Sequence, residues 1–231
     1  DDKFFNYLSK KAKLYKLKIL TFGHHKKADI QLKKIIKKGV FSKIFININN
    51  KIIDLEIRDL NIYNVLASIA VLKVLKIDIN KIKAKLKNFE SPEGRGKKYS
   101  IIRYKKKFNF IDESYNANPL SVKNAINKLN LIKKAKFKKY LILGDMLELG
   151  SKSNKYHEQL SKVINNSDID KVFIQGKKTI FTYKQINKDK RGNILQDNED
   201  IDISLREMIS NNDYLMIKGS NATGLNDFSK K

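Results

Sequence analysis

Tyr140-Leu141-Ile142-Leu143-Gly144-Asp145-Met146-Leu147-Glu148-Leu149-Gly150 is the stretch on which the fold turns. Its apolar opening reads as a buried strand, its two glycines bracket a tight loop, and residues 153–165 return at helical spacing. The same order recurs downstream: a strand over 171–174, a helix near 177–186, a strand over 193–195, a helix over 199–210 and a strand over 213–217. Upstream, 99–104 and 108–112 read as a hairpin over Lys105-Lys106-Lys107, followed by a helix over 119–132 with Pro119 in its first turn. Strands alternating with helices predict an α/β fold with a mainly parallel sheet, covered on both faces.

That alternation makes the second part of the chain look like a small dinucleotide-fold-like domain. The first part has a different period. Phe4, Phe5, Leu8, Ala12 and Tyr15 predict a helix over 3–15 packing one aromatic stripe inward, and 17–22 reads as a short strand ending at Gly23. Residues 45–48 and 52–57 flank Asn49-Asn50-Lys51, a hairpin turn tolerant of left-handed residues. Helical spacing returns at Ile62, Val65, Leu66, Ile69, Leu72, Val74 and Leu75, and again at Ile82, Leu86 and Phe89 behind Asp78 or Asn80 as N-cap. Glu90-Ser91-Pro92-Glu93-Gly94-Arg95-Gly96 breaks every period and holds one of two prolines and two of ten glycines. It is the expected interdomain linker, dividing the chain into 1–92 and 93–231.

Composition narrows the class. The 231 residues and 41% hydrophobic content suffice for one large or two small packed domains. A net charge of +25 invites a nucleic-acid reading, but only five of the 49 basic residues are Arg (Arg58, Arg95, Arg103, Arg191 and Arg206). The lysines are scattered, and they accompany an excess of Ile and Asn, the enrichment that A/T-rich codons produce. A solvated surface and no nucleic-acid partner is therefore the expectation. The absence of Cys excludes disulfides and thiolate sites. Val65–Leu72, the longest candidate span, is eight residues and contains Ser68, far from the roughly 18 uninterrupted apolar residues of a membrane span, so no membrane insertion is expected. The chain does not begin with Met, which suits a processed chain or a piece of a longer one.

Ligands of a parallel sheet bind beyond the carboxyl ends of its strands, so the strand-to-loop junctions are where chemistry is sought. At 112–119, Asn118-Pro119 reads as a helix cap, whereas Asp112, Glu113, Tyr115 and Asn116 exceed what a cap needs; they suit ribose hydroxyls, amides or a hydrated metal. At 143–150, Asp145 and Glu148 would stand over the sheet end, with His157 of the next helix in reach; a His on a helix is otherwise more often a surface or core residue. Lys218, before Gly219-Ser220, could hold a carboxylate or phosphate, although in so lysine-rich a chain a solvated Lys is commoner. Gly94-Arg95-Gly96 could clamp a phosphate and is weak as spacing alone. The sequence has no Gly-x-x-x-x-Gly-Lys-Ser/Thr phosphate loop, no Gly-x-Ser-x-Gly elbow and no His/Cys metal spacing; adjacent His24 and His25 make a poor chelate pair.

Together these segments resemble the Mur ligase family of peptidoglycan synthesis. Asp112-Glu113-Ser114-Tyr115-Asn116-Ala117-Asn118-Pro119 is similar to that family's Asp-Asp-Ser-Tyr-Asn-Ala-Asn-Pro, and Leu143–Gly150 with His157 downstream is a second match. Thr21-Phe22-Gly23 with Ala28-Asp29, Asn64 in its helix, Gly94-Arg95-Gly96 and Lys218-Gly219-Ser220 are weaker matches in the same order. The resemblance implies the rear part of a central ATP-binding domain over 1–92 and a C-terminal domain over 93–231. The family's phosphate loop, metal-binding Glu and modified Lys are expected upstream, so no metal ligands are expected here, and the chain is expected to be inactive alone. The implied activity, with ATP and Mg²⁺, joins D-alanyl-D-alanine to UDP-N-acetylmuramoyl-tripeptide through an acyl phosphate, in a cytoplasmic monomer. Asn64, Arg95, Asp112 and Glu113 would then serve ATP. Tyr115, Asn116, Asn118, Asp145, Glu148, His157 and Lys218 would serve the substrate side and domain closure.

Two departures stand out. Arg58-Asp59-Leu60-Asn61 replaces the family's Gly-x-His-Asn, so Leu60 offers no imidazole to the adenine side, and Glu113 is one methylene longer than the usual Asp. Two other classes remain: a stand-alone nucleotide- or peptide-binding module, and a basic nucleic-acid binder.

Overall fold

The computed structural model describes residues 1–38, 41–58, 60–133 and 135–229, and the chain forms two compact units, Asp1–Glu90 and Ser91–Lys231.

The first unit is built on a four-stranded sheet in the order β1-β2-β3-β4: β1 (Phe22–Gly23), β2 (Ile30–Lys38), β3 (Phe41–Ile48) and β4 (Lys51–Arg58). Alternation along β3 turns Ile44, Ile46 and Ile48 into the core and leaves Lys43, Phe45 and Asn47 on the other face. Asn49 and Asn50 both adopt left-handed φ, 50° and 62°, which gives the tight two-residue hairpin expected from their side chains. Helix α2 (Ile62–Val74) covers the buried face with Val65, Leu66, Ile69 and Ala70. Its N-cap is Asn61, whose side chain accepts from the amides of Tyr63 and Asn64. Leu60 packs against the same core. A 3₁₀ turn over Ile79–Ile82, capped by Asp78, leads into α3 (Lys83–Asn88), which lies along β4.

Two expectations fail in this unit. The N-terminal helix exists as α1 (Phe5–Leu14) but contains no buried residue; Phe4, Phe5, Leu8 and Tyr15 are all exposed. The buried face of the sheet is taken by α2, so α1 finds no apolar surface there. The strand expected over 17–22 shrinks to β1, because β2 offers it only two parallel partners, Ile30 and Gln31.

The second unit contains a six-stranded sheet in the order β5-β6-β10-β7-β8-β9, parallel except for the β5–β6 hairpin. The strands are β5 (Lys97–Arg103), β6 (Lys106–Glu113), β7 (Lys139–Gly144), β8 (Lys171–Gln175), β9 (Arg191–Leu195) and β10 (Tyr214–Lys218). The hairpin turn is Tyr104-Lys105, again with two positive φ angles, 56° and 58°, so it is shorter than the three-lysine turn expected. Strand β7 shows why both faces are covered: Leu141 and Leu143 join the core under α4 (Pro119–Asn130), α5 (Ser153–Asn165) and α6 (Thr179–Gln185). Tyr140 and Ile142 face α7 (Asn198–Met208) and α8 (Leu225–Ser229) on the other side. Residues 94–96, read as linker, are fastened to β6 within this unit. Among the described residues no helix is long and apolar enough to cross a membrane.

Beside the β5–β6 hairpin, Asp202 accepts from Arg103 at 2.6 Å and from the Tyr104 hydroxyl at 2.6 Å. The Tyr104 bond, with Arg103 and Arg206 nearby, holds the Asp202 carboxyl below the usual range. A lowered folded value means that the unfolded chain binds this proton more tightly. The stabilisation is therefore complete above about pH 4 and lost as pH falls through the folded value. Urea denaturation of the wild type and Asp202→Asn should differ at pH 6 and converge near pH 2.

Candidate functional site

The carboxyl edge of the six-stranded sheet gathers three loops, because β10 lies between β6 and β7 with Lys218 level with Glu113 on one side and Leu143 on the other. The first loop follows β6. Asp112 is buried, and its carboxylate accepts from the Gly94 amide at 2.9 Å, the Ser114 amide at 3.1 Å and the Ser114 hydroxyl at 2.6 Å. It thereby pulls the 94–96 turn onto the strand end. Gly94 has φ +71°, and a Cβ there would stand 2.6 Å from Tyr115 Cβ, so only glycine permits this approach. The result is a platform in which the exposed Arg95 guanidinium lies 4.5 Å from the centre of the half-exposed Tyr115 ring.

Lys218 lies beneath this loop. It is buried, and its ammonium donates to the backbone carbonyls of Glu113, at 3.2 Å, and of Asn116, with the Glu113 carboxylate at 3.8 Å. Burial pushes Lys218 below the ordinary lysine range, and Glu113 opposes that shift. Asn116 itself is exposed, while Asn118 caps α4: its side chain accepts from the Ser121 amide at 2.8 Å, and Ser121 Oγ accepts from the Asn118 amide at 3.0 Å.

The second loop follows β7. The Asp145 carboxylate accepts from the amides of Lys178, at 3.0 Å, and Thr179, at 2.8 Å, so it caps α6 across the end of β8. The Asp145 carbonyl accepts from the Ser220 amide at 3.2 Å, and Ser220 Oγ accepts from the Leu147 amide at 3.1 Å; this ties in the third loop, after β10. His157 is buried, and its Nε2 accepts from the Met146 amide at 3.0 Å. That contact leaves the proton on Nδ1, which lies 2.8 Å from the Ser153 carbonyl and donates to it. Glu148, with φ +60°, stands exposed on the rim.

Ten of the eleven residues read from the sequence thus lie at or beside one edge. The polar groups of Asp112, Asp145, Asn118, His157 and Lys218 are engaged within the protein, and Arg95, Tyr115, Asn116 and Glu148 face outward. Asn64 belongs to the first unit, on the exposed side of the first turn of α2. The residues that sequence reasoning missed are Ser220, Gly176 and the Lys178–Thr179 amides. Only Ser220 carried a signal, the strand-end Lys-Gly-Ser, because backbone donors leave no side-chain signature. Among the described residues no group of three His, Asp or Glu side chains comes together to hold a metal ion. A cleft of about 360 Å³ opens at the opposite, amino edge of the sheet, lined by Tyr140, Asp168, Asp170 and Met208, with Lys171 and Lys190 tied to backbone carbonyls. It is remote from the residues above.

Comparison with known proteins places the chain in a family. The chain is 28% identical over 212 residues to the UDP-N-acetylmuramoyl-tripeptide–D-alanyl-D-alanine ligase of Rickettsia prowazekii, an alignment covering 90% of this chain and 45% of that protein. It is 31% identical over 139 residues to the ligase of the same name from Bacillus subtilis, covering 58% of this chain and 30% of that one. Its fold matches the crystal structure of the MurF ligase of Thermotoga maritima in complex with ADP, with TM-score 0.76 at 20% identity, over 98% of this chain and 51% of that one. The chain therefore spans about half the length, or less, of the proteins it matches. The Mur ligase glutamate ligase domain matches residues 99–221, from the first strand of the parallel-sheet unit to the loop behind Lys218, and on that match the chain belongs to the Mur ligase family.

Proposed function

We propose that this chain is part of a UDP-N-acetylmuramoyl-tripeptide–D-alanyl-D-alanine ligase, with residues 1–92 corresponding to the rear of its central ATP-binding domain and residues 93–231 to its C-terminal domain. The observation that carries the reading is the Rickettsia alignment, which runs through both units of the chain. In this reading a tripeptide carboxylate oxygen takes the γ-phosphoryl group of ATP and ADP departs. The amine nitrogen of D-alanyl-D-alanine then attacks the acyl carbon, an amide forms, and phosphate and a proton leave. Phosphorylation replaces a poor leaving group with a good one, and cations offset the transferring charge.

The outward residues suit such a partner. Arg95, held over Tyr115, presents a planar cation to phosphate or ribose oxygens, and Asn64 would serve the adenine side. Leu60, half-buried against the core, leaves that side without an imidazole. Asp112 acts by shaping the Arg95 turn, since its oxygens already accept three bonds. Mg²⁺ would be held by the nucleotide phosphates together with the metal-binding Glu and modified Lys that the family resemblance places upstream. Lacking a phosphate loop, residues 1–231 alone would not turn over ATP.

The test is a protein that joins this chain to a Mur ligase phosphate-loop segment, assayed for ADP and phosphate. Release that requires both UDP-N-acetylmuramoyl-tripeptide and D-alanyl-D-alanine is expected. Release indifferent to the dipeptide, or none at all, would overturn the reading.

A further inference from the structure

We propose that α1 and the outer face of α2 form a docking surface for a second protein segment, the phosphate-loop half of the central domain, an inference that rests on the ligase reading above. Among the described residues, fourteen of the twenty-one exposed large apolar side chains belong to the first unit, Asp1–Glu90, which is well under half of the chain. Scattered apolar exposure is ordinary for a folded unit, whereas its concentration on two helices marks a surface that another protein covers. On α1, Phe5, Leu8, Ala12 and Tyr15 fall within about 100° of the helix circumference, and Leu8 and Tyr15 are 58% and 68% exposed.

Helix α2 carries the same message more strongly. Its inner side buries Val65, Leu66 and Ile69, yet Val71 and Val74 on its outer side, and Leu75 at its C-cap, are exposed. A helix that is apolar all round belongs in an interior, and the first unit supplies cover for one side only. The starts of the two helices are moored to each other. The Asp1 carboxylate accepts from the His24 amide at 2.7 Å, from the His25 amide at 3.2 Å and from the hydroxyl of Tyr63, in the first turn of α2, at 3.1 Å. The Rickettsia and Thermotoga proteins carry about as much chain again beyond the part that this chain matches. That further chain is long enough to supply the missing layer. A lipid surface suits the lysines of α1 but not α2, whose one lysine, Lys73, donates to the Asn49 side chain at 3.0 Å.

The chain contains no cysteine, so a single introduced thiol reports accessibility at its own position. Leu8→Cys and Val71→Cys are to be read in the chain by itself and in the joined protein described above, its added segment made cysteine-free. Both thiols should react with a disulfide reagent about tenfold or more slowly in the joined protein. Ile102→Cys, at a position 77% exposed on β5, should react equally fast in both forms. Ile69→Cys, at a fully buried position of α2, should stay unreactive in both and so certify that each is folded. Equal rates at positions 8 and 71 in the two forms would overturn the docking surface. So would protection of the chain by itself that grows with its concentration, which assigns the face to a second copy. Protection that requires phosphatidylglycerol vesicles would assign it to a membrane and overturn the proposal as well. Protected thiols in a joined protein whose phosphate release ignores the dipeptide would support the docking surface and overturn the ligase reading. Dipeptide-dependent release with both thiols unprotected would overturn the docking surface alone.

Discussion

Lys218→Met is expected to lower the stability of the C-terminal unit by about 2–4 kcal/mol, the sum for two backbone carbonyls left buried without a donor. Met matches the length of the side chain, so no large cavity opens, and Glu113, with its side chain about 15% exposed, can turn its carboxylate to water. The carbonyls of Glu113 and Asn116 have no such recourse, because both were turned toward the ammonium. The effect should therefore concentrate on the loop after β6. Urea denaturation gives the loss, and amide exchange at Ser114–Ala117 should quicken more than exchange in β8. Lys218→Arg, which keeps the donors and the charge, should recover part of the loss. Equal quickening throughout the unit would argue against a local fastening role.

Asp145→Ala is expected to cost about 3 kcal/mol. It removes an N-cap, worth about 1 kcal/mol, and leaves the fully buried Thr179 amide without an acceptor, worth about 1–3 kcal/mol. Gly176→Ala should act on the same contact from the other side. Gly176 has φ +121°, and a Cβ there would lie 2.5 Å from the Asp145 carboxylate. The two substitutions should therefore not add: once Asp145 is Ala, the clash is gone and only the backbone strain of Gly176→Ala remains. A double-mutant cycle read by chemical denaturation should show a coupling of about 1 kcal/mol or more. Strict additivity would mean that the carboxylate does not hold the α6 end.

Much of the local structure was legible. Asn49-Asn50 reads as a two-residue turn because Asn tolerates left-handed φ, and Asn118-Pro119 reads as a cap because both residues act on their own backbone. The strand-and-helix alternation after residue 97 gave the parallel sheet, since apolar period depends only on neighbouring residues. The aromatic stripe of α1 shows the limit of that reasoning. Periodicity indicates that a helix has an apolar face, whereas burial requires another element to lie against it, and α2 already covers that face of the sheet.

The candidate site divides along the same line. Its residues were found from their types and positions at strand ends, which are local properties. Their roles were not. Lys218 looked like an anion holder and is a buried fastener, because its partners Glu113 and Asn116 lie 105 and 102 residues away, at the end of a strand brought alongside by the sheet and in the loop that follows it. Asp145 looked like a ligand group and is a cap for a helix 34 residues on. Arg95, weak by spacing, is set over Tyr115 only because Gly94 lets two segments touch. The sequence by itself determined the elements, their order and the family resemblance, since these follow from neighbouring residues. Only the tertiary structure decided which polar groups the protein satisfies internally and which it leaves exposed to solvent, because desolvation and hydrogen bonding depend on backbone that arrives from distant strands.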